Sequence, residues 1–453
     1  MSNQTSNELL RSRVLLTLAD SVSSIGVPSD EFYVEMVNAG FGNYYLQFLS
    51  NYLVVTYSNF PDVALDLNNK LPVVVVYDTS TGKLIETSRL NIPIGVSLDG
   101  VISPTPKRPF VAVDSVGTNN KASTTIYELT STGQLVQKSI FNSSSLPGII
   151  VNFDTTVQQS SSFSSDGKYL MYGFTTKVDN NLNPIEISNV IFKVSKKGIL
   201  TPRIIFTIPN IQNSVFNIHS ASFVKNESNK CNYSIILFLN AITNLDPASP
   251  DLFAEIISYT FDVKKNTVAQ TGLVSVNQSI IGSSYNPIIE KVIICTREAD
   301  YDNLSILQNP INPIDPTVPR PFDELRMYSY NPNAISNAIQ FLKGHNLDAR
   351  GLAITWSNDG KKLILVARAG FSLPANTIDP GTGTLAEASP AVVISALSYN
   401  CKNDTLHFED VKVGPPSVFG PGWSDDDKFM AVAGFSTSLQ KDTQLYSVSC
   451  NQK

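Results

Sequence analysis

Short apolar runs punctuate the chain, among them Leu71–Tyr77, Phe110–Val113, Ile235–Leu239, Val292–Cys295 and Leu363–Ala367. Each has the length of a β-strand, and polar or charged residues or a proline bound it. Two polar signals recur between them. The first reads Phe163-Ser-Ser-Asp-Gly-Lys-Tyr-Leu170, Trp356-Ser-Asn-Asp-Gly-Lys-Lys-Leu363 and Trp423-Ser-Asp-Asp-Asp-Lys-Phe-Met430. An aromatic ends one strand, a polar tetrad turns the chain, and an apolar strand follows. Weaker copies stand at Phe48–Leu53, Pro104–Phe110, Phe223–Asn226 and Tyr285–Pro287. Placed at Asn51, Arg108, Gly167, Lys230, Glu290, Gly360 and Asp427, the turns are spaced by 57, 59, 63, 60, 70 and 67 residues.

The second signal lies out of phase with the first, as in Val76-Tyr-Asp-Thr-Ser-Thr-Gly-Lys-Leu-Ile85, Ile126–Val136 and Phe192–Leu200. It continues at Phe261–Val268, Tyr328–Ile335 and Leu397–Leu406. Its pivots Gly82, Gly133, Gly198, Asn266, Asn333 and Asp404 are residue types that tolerate a left-handed turn. Each unit is therefore four strands, A to D, with tight A–B and C–D turns. Seven such units predict an all-β, seven-bladed propeller of antiparallel blades over residues 1–453. The blades fall near 43–91, 99–142, 160–211, 219–276, 281–343, 351–413 and 419–453. The last unit stops after its third strand, so a segment from 12–38 is expected to close the ring. Val14–Ala19 is preferred over Phe32–Val37.

The Ser-Asp-Gly-Lys strands resemble WD40-like, TolB-type propeller repeats, and Val76–Ile85 is similar to the YVTN and lactonase-type repeats. A Gly-His dipeptide of the WD40 kind occurs at Gly344-His345. The resemblance implies architecture, because such families include scaffolds, glycan binders and hydrolases.

Charged residues make up 16% of the chain and the net charge is −6, with a pI near 5.2. That balance removes the usual electrostatic reason to bind nucleic acid or an anionic lipid surface. No run is long enough for a membrane-spanning helix, and Val14–Ala19 is too short for a secretory core, so neither membrane insertion nor a signal peptide is expected. Cys231, Cys295, Cys401 and Cys450 show no metal-binding spacing and are expected to be free thiols, which favours a cytoplasmic or other reducing compartment. A place on a virion or outer cell surface is kept as an alternative, on the low charge and the abundant Asn and Ser.

Extra length is concentrated in the B–C and D–A connections: 59–70, 176–188, 241–255, 297–325 and 368–391. Long connections usually carry function, so that face is the expected binding surface. On its rim the alternation places Asp114, His219, Arg297, Glu298, Arg350 and Arg368. Converging arginine, imidazole and carboxylate groups suit a small anion or a metal ion. His345 is expected to brace its loop and His407 to lie on the surface. Proline-rich 309–321 reads as an extended loop offering a rigid handle. There is no nucleophile elbow, phosphate loop, dinucleotide fingerprint or HExxH zinc motif. A non-catalytic scaffold for a protein or glycan partner, needing no cofactor, is the leading expectation. A lactonase-like hydrolase with a metal or anion at the channel mouth is the alternative.

Overall fold

The computed structural model describes residues 32–40, 45–57, 73–91, 97–102, 107–116, 122–142, 161–178, 184–208, 215–242, 252–297, 323–347, 349–369, 392–413, 417–435 and 441–450. These residues form strands and turns, with no helix among them. The strands pair as seven four-stranded antiparallel sheets. After β1 (Phe32–Gly40), blade one is β2 (Tyr45–Leu49), β3 (Tyr52–Tyr57), β4 (Val73–Asp78) and β5 (Ile85–Asn91). Blade two is β6 (Ser97–Ile102), β7 (Phe110–Val116), β8 (Ala122–Leu129) and β9 (Leu135–Asn142). Blade three is β10 (Ser161–Phe163), β11 (Tyr169–Val178), β12 (Pro184–Val194) and β13 (Leu200–Ile208). Blade four is β14 (Val215–Lys225), β15 (Asn232–Ile242), β16 (Leu252–Asp262) and β17 (Thr267–Val276). Blade five is β18 (Ser279–Asn286), β19 (Lys291–Arg297), β20 (Asp323–Tyr330) and β21 (Ile339–Leu347). Blade six is β22 (Ala349–Trp356), β23 (Lys362–Ala369), β24 (Val392–Asn400) and β25 (Thr405–Val413). Blade seven has β26 (Ser417–Trp423), β27 (Phe429–Phe435) and β28 (Lys441–Cys450).

Every A strand touches the A strands of both neighbouring blades, β2 of blade one against β26 of blade seven included. That makes a ring with the A strands around a central channel. The B and C strands are buried on both faces, which is why they read as unbroken apolar runs: Ile235, Ile236, Leu237 and Leu239 are all fully buried. The outer strands alternate instead, as in β9 and β13. Cores form between blades rather than within them. Blades three and four share the rings of Tyr169, Phe223, Tyr233 and Phe261, packed edge to face or tilted. Blades seven and one share Phe48, Leu53, Val75, Ala431 and Leu445.

The first recurring signal is a hydrogen-bonded turn built three times. Ser164, Ser357 and Ser424 bond the carboxylates of Asp166, Asp359 and Asp426 at 3.0, 2.7 and 2.9 Å. The same hydroxyls accept from the backbone N–H of Tyr169, Lys362 and Phe429. Gly167, Gly360 and Asp427 supply the positive φ such a turn needs. Glu290 does so in blade five, whereas Ser50 replaces the expected Asn51 in blade one. The second signal pivots at Gly82, Gly133, Gly198, Asn266 and Asp404 as expected, but at Asn337 in blade five rather than Asn333. Asn333 is instead held by Asn226 and Ser228 of blade four.

A feature absent from the sequence reading repeats in every blade. The fourth strand carries one extra residue just after its turn, facing Val76/Tyr77, Ile126/Tyr127, Ile191/Phe192, Ser258/Tyr259, Met327/Tyr328 and Ala396/Leu397. Three of these bulged residues, Thr87, Arg203 and Thr271, offer their carbonyls to Gln134, Asn266 and Ala338 of the next blade. The bulge breaks the ladder and the neighbour occupies it, which blunts an otherwise open sheet edge.

In blade seven the fourth strand is β1, paired with β28 from Phe32↔Cys450 to Gly40↔Thr443. Its bulge lies between Met36 and Asn38, opposite Tyr446 and Leu445, the same place as in the other six blades. The preferred Val14–Ala19 lies outside the described residues, and the second candidate occupies the position instead. Only residues 41–44 separate β1 from β2, so that short link keeps β1 beside the seam of blades seven and one.

Candidate functional site

The A strands of blades four to seven each bulge four residues before their closing aromatic. The extra residues are His219, Ile281, Leu352 and Phe419, ahead of Phe223, Tyr285, Trp356 and Trp423. Bulges redirect a side chain and interrupt pairing, and they gather beside functional sites. His219 thus lies inside β14, not at its opening, and it alone among the four is titratable. It is half-buried, and desolvation pushes its imidazole down to about 4. At neutral pH it is an uncharged ring, able to donate from one nitrogen and accept or ligate with the other.

Polar groups beside it tie blade four to blade five. Asn240 donates from Nδ2 to the Ile280 carbonyl at 2.8 Å and accepts from the Ile280 N–H at 2.7 Å. Its amide imitates a strand pairing where none exists. Ser220 and Ser283 hydroxyls bond across the same seam. One seam further on, Ser284 accepts from the Trp356 N–H at 3.1 Å.

Backbone register places four other expected residues at strand ends on the B–C and D–A face. Asp114 stands near the end of β7, Arg297 ends β19 opposite Ser279, and Arg350 near the start of β22 is paired with Arg368 near the end of β23. Glu298 lies outside the described residues. Sequence reasoning missed Asp99, the register partner of Asp114 in β6. No signal in the sequence marks it, because the connection from β6 to β7 has no strong turn motif to fix the register. Two like-charged register pairs, Asp99–Asp114 and Arg350–Arg368, thus stand on one face of the ring.

His345 departs from expectation. It is not in a loop but in β21, it is 1% exposed, and neither ring nitrogen has a hydrogen-bond partner. Burial, helped by the nearby Lys343 charge, pushes it down to about 4. It packs as a neutral core residue and braces nothing. His407 is half-buried, 3.2 Å from the Thr405 hydroxyl. Cys231, Cys295 and Cys401 form no disulfide, and Cys295 lies in the core as expected. Among the described residues no group of three or more His, Cys, Asp or Glu side chains is arranged to hold a metal, and no helix is long and apolar enough to cross a membrane.

No family model and no curated protein matches the chain. Solved propellers do resemble it. The WD40 repeats of RRP9 match at 7% identity and a TM-score of 0.46, covering 95% of this chain and all of theirs. A putative 6-phosphogluconolactonase from Bacteroides uniformis matches at 12% and 0.49, covering 89% of this chain and 96% of its own. An oligogalacturonate lyase in complex with manganese matches at 13% and 0.47, covering 95% of each chain. Each is a similarity alone, and function is read below from the chain's own residues.

Proposed function

We propose that the protein is a binding or scaffold propeller, without catalysis of its own, that presents its B–C and D–A face to a protein or glycan partner. The asymmetry of the ring carries this reading. On the tight-turn side, polar ties join neighbouring blades at every seam: Tyr52 to Ser131, Arg108 to Val194, Tyr233 to Asp166, Asn226 to Pro332, Asn286 to Ser357, Asn358 to Ser424 and Ser50 to Asp425. That side is committed to holding the ring. The other side carries the long segments between β3 and β4, β9 and β10, β19 and β20, and β23 and β24. A rigid ring bearing variable connections on one face is how propellers and barrels position recognition residues.

The Arg350–Arg368 pair and His219 fit an anionic group of such a partner, a carboxylate or an acidic sugar. The test is a glycan array and proximity labelling with the full chain, beside a variant in which 303–322 and 372–389 are replaced by short Gly-Ser linkers. The variant is expected to melt like the parent and to lose partner labelling or glycan binding. Retained binding would contradict the reading. So would stoichiometric calcium or zinc in the purified protein that is lost in D114N, which would favour the hydrolase alternative.

A further inference from the structure

Charge is unevenly spread on the tight-turn side. Within five residues of its pivot Gly198, the C–D hairpin of blade three carries Lys193, Lys196, Lys197 and Arg203 and no carboxylate. The same window around Gly82, Gly133, Asn266, Asn337 and Asp404 carries a net charge between −1 and +1. A chain of net charge −6 therefore concentrates four positive charges in one hairpin. All four side chains are exposed, and none has an ion-pair partner among the described residues. Lys138 of blade two packs its stem against Gly198 from the adjoining edge, but its ammonium is paired with Glu128 at 2.5 Å and adds no net charge; the Ser139 hydroxyl donates to the Gly198 carbonyl at 2.6 Å.

An apolar residue caps this cluster. Ile199 follows the pivot directly, two and three residues after Lys197 and Lys196, and is 51% exposed. An exposed aliphatic side chain at the apex of a hairpin that also carries four cations matches a surface whose phosphates lie above an acyl layer. Strand addition to this edge is disfavoured: Pro202 has no N–H, and the Arg203 carbonyl is taken by Asn266 at 3.1 Å. A nucleic acid would leave Ile199 without an apolar partner, and the hairpin offers no exposed aromatic for base stacking. Net charge argued against anionic lipid, but electrostatic attraction acts over about 8–10 Å, so the local charge decides.

We propose that the C–D hairpin of blade three docks the propeller peripherally on an anionic lipid surface, with Ile199 entering the interface and the flanking cations meeting lipid phosphates. This site lies on the side opposite the face assigned to partner binding and stands independently of that assignment.

The experiment is co-sedimentation of the full chain with phosphatidylcholine vesicles, with and without phosphatidylserine. Binding is expected with phosphatidylserine alone and should weaken as salt rises. Each lysine near such a surface contributes about 1 kcal/mol, or about fivefold, so K196Q/K197Q should bind about 25-fold more weakly. I199S should also weaken binding while leaving the salt dependence intact. Both variants alter exposed side chains, and unchanged melting will show that the fold survives. Equal binding to both vesicles, no sedimentation at low salt, or an unaffected double variant would each overturn the proposal. If soluble polyglutamate displaces the vesicles and I199S binds like the parent, the surface recognises an acidic protein and the lipid assignment is wrong.

Discussion

The backbone N–H of Ser50 donates to Asp425 Oδ2 at 2.9 Å, joining residues 375 apart in the chain. It links the A–B turn of blade one to that of blade seven. Burial and the charges of Asp426 and Asp427 hold the Asp425 carboxyl above the usual carboxylate range, against the pull of the Ser50 bond. A neutral acceptor therefore serves as well. D425N should be at least as stable as the parent at pH 7, whereas D425A should lose about 1 kcal/mol. Denaturant melts of both variants decide this. Equal destabilisation by both would mean that the charge, not the acceptor, makes the seam.

The paired bonds of Asn240 to Ile280 predict a larger loss. N240A strands a partly buried N–H and C=O on β18, so about 2–3 kcal/mol should disappear. Urea melts should show a lower midpoint with an unchanged slope. A loss below about 0.5 kcal/mol would show that water replaces the amide at no cost.

Much of this was legible in the chain. Seven units, tight A–B and C–D turns and five of the six C–D pivots follow from recurring Gly, Asn and Asp, because positive φ restricts residue choice. The seams were not legible, since Asn286 and Ser357 meet only once the ring has formed. The fourth-strand bulges left no residue signature: Thr87, Lys138, Arg203, Thr271, Leu342 and Glu409 share no chemistry. The strand-end positions of Asp114, Arg297, Arg350 and Arg368 were legible from the strand pattern. The pairing of Asp99 with Asp114 required the register of β6, which has no strong turn signal after it.

Tyr233 and Asp166 give a pH-dependent test. Burial alone would raise the Asp166 carboxyl, but bonds from Lys168, Tyr233 and Ser164 hold it below the usual range. A depressed folded value means that this stability is present at neutral pH and is lost as pH falls through the folded value. Y233F removes a 2.9 Å bond to that carboxylate and should cost about 1.5–3 kcal/mol at pH 7. The cost should shrink near pH 3. An equal cost at both pH values would assign the effect to packing within the aromatic cluster.

His345 predicts the opposite kind of variant. Its unfolded imidazole titrates near 6.5 and its folded one near 4, so the unfolded chain takes up a proton first as pH falls. Stability is full above the unfolded value and drains away between about 6.5 and 4, by on the order of 3 kcal/mol. H345L removes two unpartnered buried nitrogens and this titration together. It should match or exceed the parent at pH 7.5 and fall less steeply towards pH 4.5 in thermal melts. A less stable H345L at pH 7.5 would reveal a polar partner for the ring.

The pairing of β1 with β28 is tested most directly by two truncations. Deleting 1–20 leaves Phe32–Gly40 intact, and that protein is expected to melt like the full chain. Deleting 1–40 exposes the edge of β28 and removes a ladder of backbone bonds worth about 0.5–1.5 kcal/mol each, a large share of a typical 5–15 kcal/mol. That protein is expected to melt far lower or to aggregate. If the 1–40 deletion melts like the full chain, blade seven does not need β1; if the 1–20 deletion already collapses, the closing strand lies earlier in the chain, and either result contradicts the seam described here.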